Sequence, residues 1–375
     1  MKYRELDYLE IINPNYRWGV VVAKKIALIV VLVAGVVWMG SAIAFSYPAK
    51  TQAVDNLTNA FRPTFTNAGI KQAKSDIATI NQFASQFQTK AVPALAQELH
   101  LTPAQLVGAV STQYPEVGKG IAQLPTSLPY FNHLVDGLAA QQHNFQLADA
   151  IPTKNLPTTT VYWLFFILGL IAVAVALVGL FLRRQLARAM FVVSLVLGLA
   201  VIGVSLMLSV PTKAQAVDNL TNAFRPVFTT QGAAQTREYL TNVQNMDKQL
   251  TSAALPGLAS MLKVTPAQLD ASLGQNFPAV ATGLQQMPAI LSRFNVLVTG
   301  IQQNVGNFQL ADSIPTKNTP TTLLQGQLVG PAGVIALVGL LGLVLSTATT
   351  RDRKQALQLK RENEASPARV STSVS

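Results

Sequence analysis

The stretch AVDNLTNAFRP fills residues 53–63 and recurs without a change at residues 216–226, 163 positions later. The same offset carries TPAQL from 102–106 to 265–269 and NFQLAD from 144–149 to 307–312. Three motifs held at one spacing mean that the two long segments containing them align without a gap, the mark of a tandem duplication.

Uncharged apolar blocks flank both segments. They cover residues 26–46, 161–182, 189–210 and 324–347, and none holds an Asp, Glu, Lys, Arg or His. About 20 apolar residues at about 1.5 Å rise each make a helix that crosses the hydrocarbon core of a bilayer. Four transmembrane helices are therefore predicted. Ala42-Ile43-Ala44 resembles a signal-peptide cleavage site. The long leader through Lys24 and Lys25, and the equivalent block at 189–210 in mid-chain, argue instead for an uncleaved anchor.

The chain has 28 Lys and Arg against 17 Asp and Glu, a net charge of +11, which raises the question of a nucleic-acid partner. The distribution answers it. Residues 1–25 hold five basic and three acidic residues, the connector 183–188 holds three basic residues (Arg183, Arg184, Arg188) and no acidic one, and residues 348–375 hold six and three. The long segments 47–160 and 211–323 are nearly neutral, each with seven basic residues against six and five acidic. Cations gathered on the short segments beside the spans follow the positive-inside rule. That rule puts both termini and the connector in the cytoplasm and the long segments outside, and it removes the need for nucleic acid.

The expected domain order is a cytoplasmic N-terminus (1–25), a span (26–46), an outside helical domain (47–160), a span (161–182), the connector (183–188), a span (189–210), a second outside domain (211–323), a span (324–347) and a disordered cytoplasmic tail (348–375). Each repeat unit has an even number of spans, so both copies face the same way and a pseudo-two-fold packing follows naturally. The fold class is all-α: a polytopic membrane protein with two homologous extracytoplasmic domains. With no cysteine in the chain, disulfides are excluded and the outside domains must hold together by packing.

Helical periodicity runs through both domains. Ile70, Ala73, Ile77, Ile80, Ala84, Phe87 and Ala91 form one stripe, and Leu240, Val243, Met246, Leu250, Ala254 and Leu258 the matching one. Pro93 and Pro256 are expected to kink or end these helices. Thr102-Pro103-Ala104-Gln105 reads as a capping box with proline at the first helical position, repeated at Thr265–Gln268. Further helices are expected near 114–124 and 128–148, giving four or five per domain, and residues 151–160 are expected to be extended.

The opening stretch reads as a short helix following the break at Pro48. Val54, Leu57 and Phe61 form its apolar side, while Asp55, Asn59 and Arg62 line up at i, i+4 and i+7. Asp149 and Lys154 belong to the other retained segment and can meet that stripe. The candidate binding collar is therefore Asp55, Asn59, Arg62, Asp149 and Lys154, with Asp218, Asn222, Arg225, Asp312 and Lys317 in the second copy. Such a collar either braces the domain or binds a lipid headgroup or partner protein.

Signs of catalysis are lacking. His100, His133 and His143 are replaced in the second copy by Lys263, Val296 and Gly306, and none has metal-ligand spacing. The carboxylates that recur, Asp55 with Asp218 and Asp149 with Asp312, can in principle do acid–base work, but each has a basic neighbour in sequence. There is no phosphate loop, nucleophile elbow or cysteine nucleophile. Ion-coupled transport is disfavoured by spans without ionisable residues. The sequence thus points to a non-enzymatic integral plasma-membrane protein, bacterial, without cofactor or metal, whose duplicated domains dock partner proteins or envelope lipids. The alternative is an accessory subunit of a transport or channel complex, with another membrane protein as partner.

Overall fold

A computed structural model describes residues 14–181, 184–317 and 319–365. The expectations for residues 1–13, 182–183 and 366–375 lie outside the described residues. Every regular element among those described is helical, and the sole strand-like feature is an isolated bridge between Thr153 and Leu156. The chain divides into two compact units, one of residues 1–48, 159–211 and 320–375, the other of residues 49–158 and 212–319.

The first unit contains α1 (Pro14–Ala44), α8 (Thr160–Phe181), α9 (Arg184–Met207) and α16 (Leu323–Ala365). Within them Val21–Ala44, Thr160–Phe181, Arg188–Met207 and Leu323–Thr347 are long and apolar enough to cross a membrane, as the four uncharged blocks predict. α1 packs on α8, and α9 on α16, with further contact between α1 and α16 and between α8 and α9. Glycine lets the backbones approach: a Cβ on Gly198 would lie 2.4 Å from the Ala332 carbonyl oxygen, and one on Gly35 would lie 2.9 Å from that of Gly169. Trp38 is fully buried in this unit and its indole N–H donates to the Gln327 carbonyl (3.0 Å). α16 continues to Ala365, so residues 348–365 are helical where a disordered tail was expected. The run RDRKQALQLKREN is rich in strong helix formers and simply prolongs the span.

Six helices lie between the first two spans: α2 (Tyr47–Phe61), α3 (Asn67–Gln86), α4 (Val92–Glu98), α5 (Pro103–Gln113), α6 (Pro115–Ala140) and α7 (Gln142–Asp149). Six more follow the third span: α10 (Val210–Phe224), α11 (Thr230–Gln249), α12 (Leu255–Met261), α13 (Pro266–Asn276), α14 (Pro278–Gln303) and α15 (Val305–Ala311). The count exceeds the expected four or five because the chain after each π turn forms a helix of its own, α4 and α12, and the residues before the second approach to a span split off as α7 and α15. α2 and α10 begin at Tyr47 and Val210. Pro48 sits in the first turn of α2, where its missing N–H costs nothing. The break falls at Ser46, whose φ is 54°, and likewise at Ser209, φ 53°.

These helices do not form two separate domains. The long helices α3, α6, α11 and α14 make a ring in which α3 touches α6 and α14, and α11 touches α6 and α14. One hydrophobic core runs through both segments, from Ile70, Ile77 and Phe131 to Leu240, Ile290 and Phe294. Most of each stripe read from the sequence faces this core, which both segments build together; a small satellite cluster of Ala259, Leu269 and Leu273 lies within the second segment, and Leu258 packs there.

Two proline expectations are revised. Before Pro93 and Pro256 the helical path does not stop; it passes through single π turns, Phe87–Ala91 and Leu250–Ala254. The Val92 N–H reaches the Phe87 carbonyl, one residue further back than in an α-helix, which makes room for the proline ring that follows. Pro125 and Pro129 lie inside α6, which runs unbroken to Ala140 instead of dividing near 124–128. Both capping boxes form as read. Residues 151–158 are turns and irregular chain rather than an extended strand, with a cis Ile151–Pro152 bond matched by Ile314–Pro315.

Candidate functional site

The two copies of AVDNLTNAF lie in α2 and α10, and each helix has a polar and an apolar face. On the polar face Arg62 forks onto Asp149 through Nε (3.0 Å) and Nη2 (2.7 Å), and Arg225 holds Asp312 at the same two distances. Hydrogen bonding to these carboxylates raises the pKa of both guanidinium groups above the ordinary value. The Asp55 carboxylate accepts the Thr158 N–H at 2.7 Å, and Asp218 is buried. Asn59, Asn222, Lys154 and Lys317 are exposed. The structure thus brings Arg62 to Asp149 and Arg225 to Asp312, while Lys154 and Lys317 make no ion pair among the described residues.

Two contacts absent from the sequence reading tie the segments together. Lys50, buried, donates to the carbonyls of Ser313 (2.8 Å) and Pro315 (2.7 Å) of the second segment. Lys213 returns the contact, donating to Ala150 (2.8 Å) and Pro152 (2.7 Å) of the first. Burial lowers the pKa of both ammonium groups. Asn56 meets Asn307 (3.3 Å), and Asn219 meets Asn144 (3.4 Å). Retention of lysine three residues before each repeat, and of NFQLAD, was the available signal. It did not say that each contact crosses to the other copy.

The apolar faces of α2 and α10 enclose a partly open cavity of about 80 Å³. Val54, Leu57 and Phe61 line it from one side, and Val217, Leu220 and Phe224 from the other. Phe65 stacks on Phe145 with ring centroids 4.1 Å apart, and Phe228 on Phe308 at 4.5 Å. Each stack is met edge-on by a ring of the opposite segment, Phe224 on Phe65 and Phe61 on Phe228. Thr58 and Thr221 also face the cavity, and their hydroxyls donate to the Asp55 and Asp218 carbonyls of their own helices (3.2 Å each). The walls therefore present no unsatisfied side-chain donor. A second void of about 30 Å³ lies within the ring of long helices.

Such a place can exclude water and admit hydrocarbon; nothing in its walls transfers a proton or holds a metal. Comparison with protein families, curated proteins and solved structures gives no match. The class is set by the fold: an all-helical protein with four helices of membrane-spanning length and a second helical unit built from the two segments between them.

Proposed function

We propose that the chain is a tandem duplication whose halves are related by a pseudo-two-fold axis, and that it serves as a non-enzymatic, lipid-binding integral protein of a bacterial plasma membrane. In this reading residues 47–160 and 211–323 lie outside the cytoplasm, and the termini and connector lie inside. The polar collar of Asp55, Arg62, Asp149 and their counterparts is a brace. Lipid is held by the apolar face of the same two helices. The observation that supports this is the cavity of about 80 Å³ whose lining positions pair at the repeat offset, identical in the two segments except for Leu138 and Ile301. A repeat kept only for bracing has no reason to leave a void at its centre, because close packing is the norm of protein interiors.

The test is native mass spectrometry of the protein extracted gently in its own lipids. Retained lipid is the expected outcome. The Arg62→Ala, Arg225→Ala double variant should retain it equally, since those side chains are engaged by Asp149 and Asp312. A bare monomer would sink the proposal. A stoichiometric protein partner without lipid would turn the reading to an accessory subunit of a membrane complex.

A further inference from the structure

We infer that the cavity takes one hydrocarbon chain, the tail of a single membrane lipid, per protein molecule. This rests on the lipid-binding reading above and specifies the stoichiometry and the part of the lipid recognised. Nine lining positions come from the first segment, and the same nine, each 163 higher, come from the second. Val54 faces the site with Val217, Leu57 with Leu220, and Phe61 with Phe224. A site built equally by both halves is one site. Two repeats therefore bind one ligand, where two independent collars would bind two.

The walls choose the ligand. They hold no charged residue, and the two hydroxyls are engaged within their own helices. A headgroup, sugar or peptide backbone would leave its polar atoms unmet there, which is costly. Water finds no side-chain partners there either, so its replacement by an apolar guest is favourable. What remains is an apolar guest. A cavity of about 150 Å³ accepts a benzene ring; this one, at about 80 Å³, is tighter and fits a short run of methylenes. Because it is partly open, a chain longer than the cavity enters by its end. The same polypeptide carries four helices of membrane-spanning length, so acyl chains are the apolar molecules it meets at the highest local concentration.

The test uses the full chain reconstituted in vesicles of phosphatidylethanolamine and phosphatidylglycerol. The probe is a phospholipid with a photoactivatable diazirine at the end of one acyl chain. After irradiation, labelled positions are mapped by mass spectrometry. Label is expected on cavity residues of both segments, Leu57 and Phe61 together with Leu220 and Phe224, saturating at one lipid per protein. The Leu57→Phe, Leu220→Phe variant fills the space and should lower cavity labelling about tenfold, with labelling of the spans unchanged. Competition by excess palmitate on the unaltered protein gives the same readout without a mutation. Replacing the probe's headgroup by choline should change labelling by less than about twofold. Absence of cavity label, saturation at two lipids, or a strong headgroup dependence would each overturn the inference. If native mass spectrometry still finds bound lipid while the cavity is unlabelled, lipid binding by the protein stands but at another place, and this inference fails.

Discussion

Among the residues, position 247 carries a charge where its counterpart is apolar. Asp247 stands where the first segment has Ala84, a buried core residue. Its Oδ1 is buried without a hydrogen-bond partner, and burial raises its pKa above the ordinary carboxylate value. The sign follows from linkage. The unfolded chain releases this proton at a lower pH than the folded one, so the native state is penalised once the pH rises through the folded pKa. Asp247→Ala should therefore stabilise the protein at pH 7 and raise its Tm. The gain should shrink as the pH falls through the raised folded pKa toward the ordinary carboxylate value, below which the proton is bound in both states. Thermal melts of both proteins between pH 4 and pH 7 check this; a gain independent of pH would assign the effect to packing instead. At this scale the sequence was partly legible. Retained Arg62 and Asp149 did come together, as did Arg225 and Asp312. Lys50 escaped notice because its partners are main-chain carbonyls near Ile314-Pro315, which no side-chain pattern advertises.

At the scale of elements, capping shows what local pattern reveals and what it hides. The Thr102 and Thr265 boxes satisfy N–H groups within five consecutive residues, so they could be read directly. The long helices α6 and α14 lack any cap of their own. Their first N–H groups are met from the other segment. Gln86 Oε1 accepts from Ala279 (2.7 Å) and Val280 (3.0 Å), and Gln249 Oε1 from Glu116 (2.8 Å) and Val117 (3.0 Å). A helix end needs such partners, whatever their place in the chain. Gln86→Ala should cost about 1 kcal/mol, and Gln249→Ala the same, comparable to the loss of a local N-cap. The two caps share no partner, so the double variant should lose about 2 kcal/mol. Denaturation of the full-length single and double variants in one detergent tests the sum. A double variant no worse than either single one would show that the caps do not act independently. The cavity was hidden for the same reason as these caps. Val54, Leu57 and Phe61 were legible as an apolar side, but a void is set by how well two distant helices fit, and periodicity carries no information on fit.

For the whole molecule, the repeat announced two like halves but not that the halves interlock, since similarity at a fixed offset is compatible with separate or shared cores. The shared core has one telling asymmetry. Asp76 of α3, with its side chain 5% exposed, is held by Arg293 of α14 at 2.6 and 2.7 Å. The equivalent positions, 239 and 130, are both tyrosine, packed edge-on with centroids 5.3 Å apart. Suppose the chain is cut in the connector 183–188 and each half is produced alone. A pair of second halves sets Tyr239 against Arg293, a favourable cation–π arrangement. A pair of first halves sets the buried Asp76 carboxylate against Tyr130 with no cation, losing charge-assisted hydrogen bonds worth about 2 kcal/mol or more. The two halves together should therefore associate, second halves should self-associate more weakly, and first halves should self-associate least, by more than about tenfold in Kd. Asp76→Tyr should restore self-association to the first half, because it recreates the tyrosine pair of the other side. Analytical ultracentrifugation of the detergent-solubilised halves, alone and mixed, measures all four cases. If first halves dimerise as tightly as the mixture, the ion pair is not what makes the two halves prefer each other. In that event the difference between the halves at positions 76 and 293 has no bearing on assembly.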